Sequence, residues 1–374
     1  MEQSCFTWVM FFKQLPYMIL YIIQSLLCPP VYLIWYLLLQ PIKLWNPDYF
    51  WLIEGQIYDS FLGIVGSWSD LSGHVVYESG ADVSVIKNDV SLVIVNHQTP
   101  TDIPLLMRAF HAKCLFPTTM WVMDWILQFF NFGWVAKGHG DFFLLQGTDA
   151  RKLPSIFKLG VNETSVHQAH RLKENLTMNV GYRNHGWVIL FPEGGLLWKR
   201  RDGSQRFAKK MGLPILQNVT YPRLGALQTA IETLLDPNVY CPQNDSNSEN
   251  QISKKSLKWI VDVTIGYKTS MNVFQYLCGC FGTQKATLHY RVFPIEKMVS
   301  FESIHEKPKV RENWLFSLFQ EKEAYLKHFA EKGFFPQEAG KSEKTVIVKP
   351  INNLKVYGIQ LLVIFTIYIM FHLF

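Results

Sequence analysis

The sequence predicts an α/β fold, with a mixed, mostly parallel central sheet flanked by helices and a hydrophobic membrane segment at each end. Two observations predict it. Short apolar, β-branched runs bounded by turn residues recur along the middle of the chain, separated by stretches of helical length and periodicity. At both ends the charges disappear, with none between Lys13 and Lys43 and none after Lys355. The mean hydropathy of +0.06 is high for a soluble enzyme, and the excess apolar content is concentrated in these ends.

Residues 1–45 make the first membrane segment. The run LPYMILYIIQSLLCPPVYLIWYLLL is long enough for a hydrocarbon core of roughly 30 Å. Cys28-Pro29-Pro30 interrupts it midway, and a double proline removes two backbone donors, so a kinked span and a re-entrant hairpin both fit. The run is too long for a secretory signal and is followed by Gln-Pro-Ile-Lys rather than small residues, so it is expected to be retained.

Residues 46–345 make the folded domain. Strands are predicted at 90–95 (VSLVIV), 187–191 (WVILF), 214–221 (PILQNVTY), 259–267 (WIVDVTIGY) and 286–295 (ATLHYRVFPI). Asp102 to Phe110 and Glu163 to Tyr182 have helical periodicity, so strand alternates with helix as in a parallel or mixed sheet. The polar, turn-rich stretch 241–256 reads as a solvated insertion loop. From Glu312 to Phe329, Trp314, Leu315, Leu318, Phe319, Tyr325, Leu326 and Phe329 recur at helical spacing, as expected of a helix packed on the domain.

Residues 346–374 close the chain with a second apolar run, Val356 to Phe374, which reads as a final span. Lys341, Lys344, Lys349 and Lys355 precede it and no Lys or Arg follows, which by the positive-inside tendency puts the domain in the cytosol.

Two strand ends carry residues suited to chemistry. The first predicted strand runs into Asn96-His97-Gln98-Thr99-Pro100-Thr101-Asp102, and open α/β sheets present ligand-contacting groups at such strand ends. A neutral histidine can take a proton from a hydroxyl nucleophile, and a carboxylate on its other nitrogen fixes the tautomer. Asp102 also fits an ordinary helix N-cap, with His97 a plain loop residue. The strand at 187–191 ends in Phe191-Pro192-Glu193-Gly194-Gly195, where proline stops the ladder and the glycines let backbone approach a ligand. Lys199, Arg200, Arg201, Arg206, Lys209 and Lys210 follow, either a solvated face or a site for phosphates.

These motifs resemble those of the glycerolipid acyltransferase family. Asn96-His97 with Asp102 is similar to the family's first signature and Phe191-Pro192-Glu193-Gly194 to its third. Between them, Gly140-Asp141-Phe142-Phe143 resembles the Gly-x-x-Phe motif, and Leu213-Pro214-Ile215 resembles the late proline-containing strand. The order holds over about residues 75–225. Two positions depart from the pattern: Leu145-Gln146 stands where the family has arginine, leaving Arg151 or Lys152 as substitutes, and Gly195 replaces a threonine.

The resemblance implies acyl transfer from acyl-CoA, a co-substrate rather than a bound cofactor, to a lysophospholipid hydroxyl, without a covalent intermediate. His97 would be the base and Asp102 its orienting partner. Asn96, Phe191, Pro192, Glu193, Gly194, Gly195, Gly140, Phe143, Arg151, Arg200 and Arg201 would hold the substrates. The acceptor would be lysophosphatidylglycerol or a relative such as the ethanolamine or inositol form, and the membrane that of the endoplasmic reticulum. A non-catalytic lipid-binding protein and an enzyme acting on monoacylglycerol are the rival readings.

Other classes lack support in the sequence. There is no Gly-x-Ser-x-Gly, Walker loop, Gly-x-Gly-x-x-Gly after a strand, or His-Glu-x-x-His. His139, His167 and His170 are not at metal-ligand spacing, and the 6 cysteines form neither a zinc pattern nor a disulfide framework. A net charge of +6 is too weak for a nucleic-acid partner but suits anionic lipid or phosphorylated ligands.

Overall fold

The computed structural model describes residues 8–113, 115–145, 165–183, 185–236, 256–269, 272–278, 284–297, 308–336 and 345–358, with 361, 365 and 368–369 beyond. Its elements begin with α1 (Trp8–Leu38), α2 (Gln40–Trp45), α3 (Pro47–Leu71), β1 (Val75–Gly80), β2 (Ser91–Val95), α4 (Asp102–His111), β3 (Thr119–Asp124), α5 (Asn131–His139) and β4 (Phe142–Leu144). They continue with α6 (Ser165–Leu176), β5 (Trp187–Leu190), α7 (Leu197–Met211), α8 (Leu224–Leu235), β6 (Trp259–Tyr267), α9 (Val273–Cys278), β7 (Lys285–Pro294), α10 (Pro308–Lys332) and β8 (Val346–Ile347).

One 8-stranded sheet runs in the order β4-β3-β5-β2-β6-β7-β1-β8. The pairs from β4 to β6 are all parallel, β6–β7 is antiparallel, β7–β1 parallel and β1–β8 antiparallel. This is the mixed, mostly parallel sheet that the sequence predicts. Its central strand β2, Ser91–Val95, is buried along its whole length. Val93 and Val95 join the core under α3, α4 and the packed side of α1, while Leu92 and Ile94 join the opposite core under α6, α8 and α10. Strands covered on both faces carry continuous apolar runs, which is why their sequences do not alternate.

The expected helix at Asp102 is α4. The next is α6, which widens into a π turn over Thr177–Tyr182. The amphipathic stretch after Glu312 lies in α10, with Leu315, Leu318, Phe319, Leu326 and Phe329 in the core as expected.

One expectation is corrected, and of two forms left open for the N-terminal segment one is seen. Residues 214–221 form no strand, because side chains rather than a neighbouring strand take the backbone donors. Asn218 N donates to Glu323 Oε2 (2.7 Å), Thr220 N to Glu193 Oε2 (2.8 Å) and Tyr221 N to Ser204 Oγ (2.8 Å). The N-terminal segment is no hairpin: α1 continues through Pro29 and Pro30 and stops only at Leu38. Pro29 cannot donate to the Ser25 carbonyl as a helical residue would, and Asn131 Nδ2 of α5 donates to that carbonyl instead. The stretch Phe11–Leu38 is long and apolar enough to cross a bilayer, and 22% of its most apolar window is buried against the rest of the protein.

The loop 241–256, apart from its last residue, and most of the run 356–374 lie outside the described residues. Of the latter, Leu361, Phe365 and Tyr368 are described and exposed.

Candidate active site

Parallel pairing brings the C-terminal ends of β2 and β5 to one edge of the sheet, side by side. His97 leaves the first and Phe191 to Gly195 the second. Asn96 fixes the exit of β2: Ile265 N donates to its Oδ1 (2.7 Å) and its Nδ2 donates to Ile265 O (3.1 Å). The side chain thus extends the β2–β6 ladder by one residue, and Asn96 is fully buried, holding the end of the strand.

His97 Nδ1 lies 2.9 Å from Asp102 Oδ2. The same oxygen accepts from Thr99 N (3.0 Å), and Asp102 Oδ1 accepts from the Tyr267 hydroxyl at the end of β6. Asp102 is completely buried, so these donors replace the water an ionised carboxylate needs. With Nδ1–H on Asp102, His97 keeps Nε2 as the acceptor, and the His97 side chain stays 16% exposed. The Phe191 ring packs tilted on the imidazole, 4.6 Å between centroids.

Glu193 is buried behind this pair, with both carboxylate oxygens bonded to protein donors. Its Oε1 accepts from His97 N (2.7 Å), and Oε2 accepts from both Thr220 N and Thr220 Oγ1 (2.8 Å each). The residue ties the two motif loops together. Burial pushes its carboxyl up to about 7, against the opposing pull of those donors. Leu197 N donates to His97 O (2.9 Å) and Arg223 N to Pro192 O (2.7 Å), closing the loop on both sides.

Gly194 (φ 71°) and Gly195 (φ 144°) lie in the left-handed region that favours glycine. A Cβ on Gly195 would also stand 2.9 Å from Arg200 Nε. That arginine donates its Nε to Gly194 O (2.9 Å) and so braces the turn, whereas Arg201 is exposed on α7.

The second motif is not brought to His97. Gly140 (φ 108°) caps the C-terminus of α5 and leads into the start of β4. Phe143 pairs with Met123, and β3 and β5 stand between β4 and β2. Both residues line a separate open cavity of about 420 Å³, with Lys137, Arg171 and Arg183 among its walls. Asp141 is spent on structure: it accepts from Trp121 N (2.7 Å) and the Tyr58 hydroxyl (3.0 Å). Burial pushes its carboxyl up to about 7. Arg151 and Lys152 lie outside the described residues.

Sequence reasoning missed Tyr267, Thr220 and Lys322. The Lys322 ammonium is wholly buried on α10, 2.6 Å from Asp262 Oδ1 and donating to Val263 O (2.6 Å) next to the end of β2. A polar residue ending an apolar strand was the one available signal for Tyr267. Nothing local distinguishes Lys322 from the other lysines of an amphipathic helix. Among the described residues no cluster of His, Cys, Asp and Glu could hold a metal ion.

Comparison with known proteins shows the family. The acyltransferase family profile matches residues 81–239, and the acyltransferase C-terminus profile matches residues 279–357. Human acyl-CoA:lysophosphatidylglycerol acyltransferase 1 is 36% identical over 91% of this chain and 87% of its own length. The chain belongs to the glycerolipid acyltransferase family. The mouse protein of the same name is 33% identical, over 94% of this chain and 90% of its own. A crystal structure of the 1-acyl-sn-glycerophosphate acyltransferase from Thermotoga maritima covers 82% of this chain and 98% of its own at 13% identity, with a TM-score of 0.39. Within this acyltransferase, both outer signatures fall at the strand ends just described and the second motif falls elsewhere.

Proposed function

We propose that this acyltransferase moves an acyl group from acyl-CoA to the free hydroxyl of a lysophospholipid, lysophosphatidylglycerol or a related form, with His97 as general base. One observation carries the reading: an imidazole held at Nδ1 by a buried carboxylate 2.9 Å away, with no hydrogen bond to Nε2 among the described residues. The names of the 36% and 33% identical relatives support the acceptor class.

In this mechanism His97 Nε2 takes the proton of the acceptor hydroxyl as its oxygen attacks the thioester carbonyl. Asp102 stabilises the imidazolium that forms. The tetrahedral oxyanion collapses, the C–S bond breaks, and the coenzyme A thiolate takes the proton back from Nε2. No acyl-enzyme forms. Glu193, Gly194 and Arg200 hold the loop that carries Phe191 against the imidazole, and the exposed cations of α7, Arg201 among them, meet phosphates of either substrate. With α1 as a bilayer segment, the site lies close to its lipid acceptor, a gain in local concentration. An endoplasmic reticulum membrane with the domain in the cytosol completes the reading.

Labelled acyl-CoA supplied with a panel of lysophospholipids and monoacylglycerol tests this directly. Ester formation with a lysophospholipid, strongest for lysophosphatidylglycerol, is the expected result. Transfer to monoacylglycerol alone, or to nothing, would overturn it.

Tyr267 refines the mechanism. Its hydroxyl donates to Asp102 Oδ1, opposite the imidazole, and so sets how strongly that carboxylate holds the proton on Nδ1. Tyr267→Phe is expected to lower kcat about 3- to 10-fold, the worth of one hydrogen bond to a charged group less relaxation, with KM for acyl-CoA unchanged. The pH–rate profile of kcat should shift to higher pH as Asp102 gains negative charge density. An unshifted profile would reduce Tyr267 to packing.

A further inference from the structure

A charge-free stretch follows Asp124, running WILQFFNFGWVA up to Lys137. It begins where β3 ends, and β3 is parallel to β5 and, through it, to β2, so it leaves the sheet at the His97 edge. Ile126, Leu127, Phe129, Phe130 and Trp134 are 40 to 57% exposed there. The exposure is not poor packing of a loose loop. Phe132, in the same stretch, packs its ring on Phe61 and Trp68 of α3, and Trp125 packs edge-on against Phe129. A contiguous apolar face on the His97 edge of the sheet marks an interaction surface, because covering it removes that apolar area from water.

What covers this face follows from its neighbour. The Ser25 carbonyl, left without a helical donor by Pro29, is bound by Asn131 at the start of α5, and Gly138 near its end lies against the rings of Tyr32 and Tyr36. The two helices therefore run side by side in the same direction. Upstream of this contact α1 goes past the sheet edge: Tyr21 is bonded to Ser72 at the end of α3, and Trp8 to Leu20 reach roughly 20 Å further at about 1.5 Å per residue. Phe12, Ile19, Ile22 and Ile23 of α1 are exposed, so its apolar face and the stretch after β3 form one continuous surface. The stretch after β3 carries no charge and two tryptophans, and α1 carries a single charge, Lys13, near its far end, which fits a lipid layer with a headgroup boundary rather than the polar-rimmed surface of a protein partner.

The geometry points to a lipid-docking collar: Ile126, Leu127, Phe129, Phe130 and Trp134 seat in the bilayer leaflet that α1 enters and bring the His97 edge down onto it. This rests on α1 as the bilayer segment. An acceptor lipid then passes from leaflet to site along the collar with its acyl chain never fully hydrated.

The test uses the full chain in phosphatidylcholine vesicles containing phosphatidylglycerol, with p-benzoylphenylalanine placed singly at Phe130, Trp134, Ile22 or Ala330. Ala330 is exposed on α10, across the sheet from α1. Irradiation is expected to give lipid adducts at positions 130 and 134 as at 22, and none at 330. Adducts at 22 alone would overturn the collar and leave α1 as the bilayer segment, while adducts at none would remove both. A crosslink from position 130 to a second copy of the chain would also overturn it. A kinetic arm adds a second readout. Leu127→Ser with Phe130→Ser should raise KM for vesicle-borne lysolipid about tenfold, the cost of two apolar contacts, and leave the rate with a short-chain, water-soluble lysolipid unchanged. Equal KM values in the two proteins would count against the collar even with the fold intact.

Discussion

Replacing His97 by alanine is expected to lower acyl transfer roughly 10²- to 10⁴-fold, the range that a positioned general base supplies. The protein should still fold and still bind acyl-CoA. His97 contributes its side chain to no core cluster, and the backbone bonds that fix its loop, His97 N to Glu193 and Leu197 N to His97 O, survive the substitution. The loss should fall on kcat, because the interaction removed develops only as the acceptor proton moves. Asp102→Asn should lose nearly as much by a different route. An amide can present N–H to His97 Nδ1, which turns the imidazole to the tautomer with its proton on Nε2, where it cannot accept one from the acceptor. Thiol release from acyl-CoA, measured with lysolipid on purified protein of matched melting temperature, reads both. If the alanine variant bound lipid and transferred acyl groups at the rate of the parent, the base would lie elsewhere. If neither protein transferred anything, a lipid-binding role would replace the catalytic one.

The strands that build this site were legible because burial on both faces writes itself as an apolar run. SLVIV and WVIL read as buried strands by their length and β-branched content, and the residues leaving them at the sheet edge are readable with them. PILQNVTY, which mixes apolar residues with Gln217, Asn218 and Thr220, is no strand, since its backbone donors go to Glu193, Ser204 and Glu323, partners that no local pattern announces. The double proline leaves a kinked span and a hairpin both open for a related reason: the sequence shows that donors are lost, and only the fold shows that the freed Ser25 carbonyl meets Asn131 on another helix, so that α1 runs on. Glu193 bonds both motif loops, a role the sequence does not announce. The sequence shows that a carboxylate leaves the strand, and only the fold shows which backbone groups meet it. Gly140 and Phe143 entered the site by resemblance, and strand order puts two strands between them and His97.

The least legible feature carries the second large expected effect. Asp262 stands in the middle of the apolar strand β6 with zero exposure, and alone it would be a buried charge of high cost. It is held by two cations. Arg291 on β7 donates to Oδ2 through Nε (3.0 Å) and Nη2 (2.8 Å), while Lys322 stands 2.6 Å from Oδ1. Desolvation pulls the Lys322 ammonium below its usual range, and the Asp262 charge opposes that pull. Asp262→Ala would strand an ammonium with no exposure beside a guanidinium, and breaking a buried pair in this way costs about 3–5 kcal/mol. That is a large fraction of the stability of most domains. The melting temperature in detergent should therefore fall by many degrees, with activity lost through unfolding rather than chemistry. Lys322→Met in the same chain separates charge from shape: removing the stranded ammonium should restore a good part of the lost melting temperature, because the buried side chain is then apolar and of similar length. An additive loss in the double variant would mean that Lys322 acts through its bond to Val263 O, beside the end of β2, rather than through Asp262. Either result bears on the His97 edge, since the strand that Lys322 grips is hydrogen-bonded to the one that leads into His97.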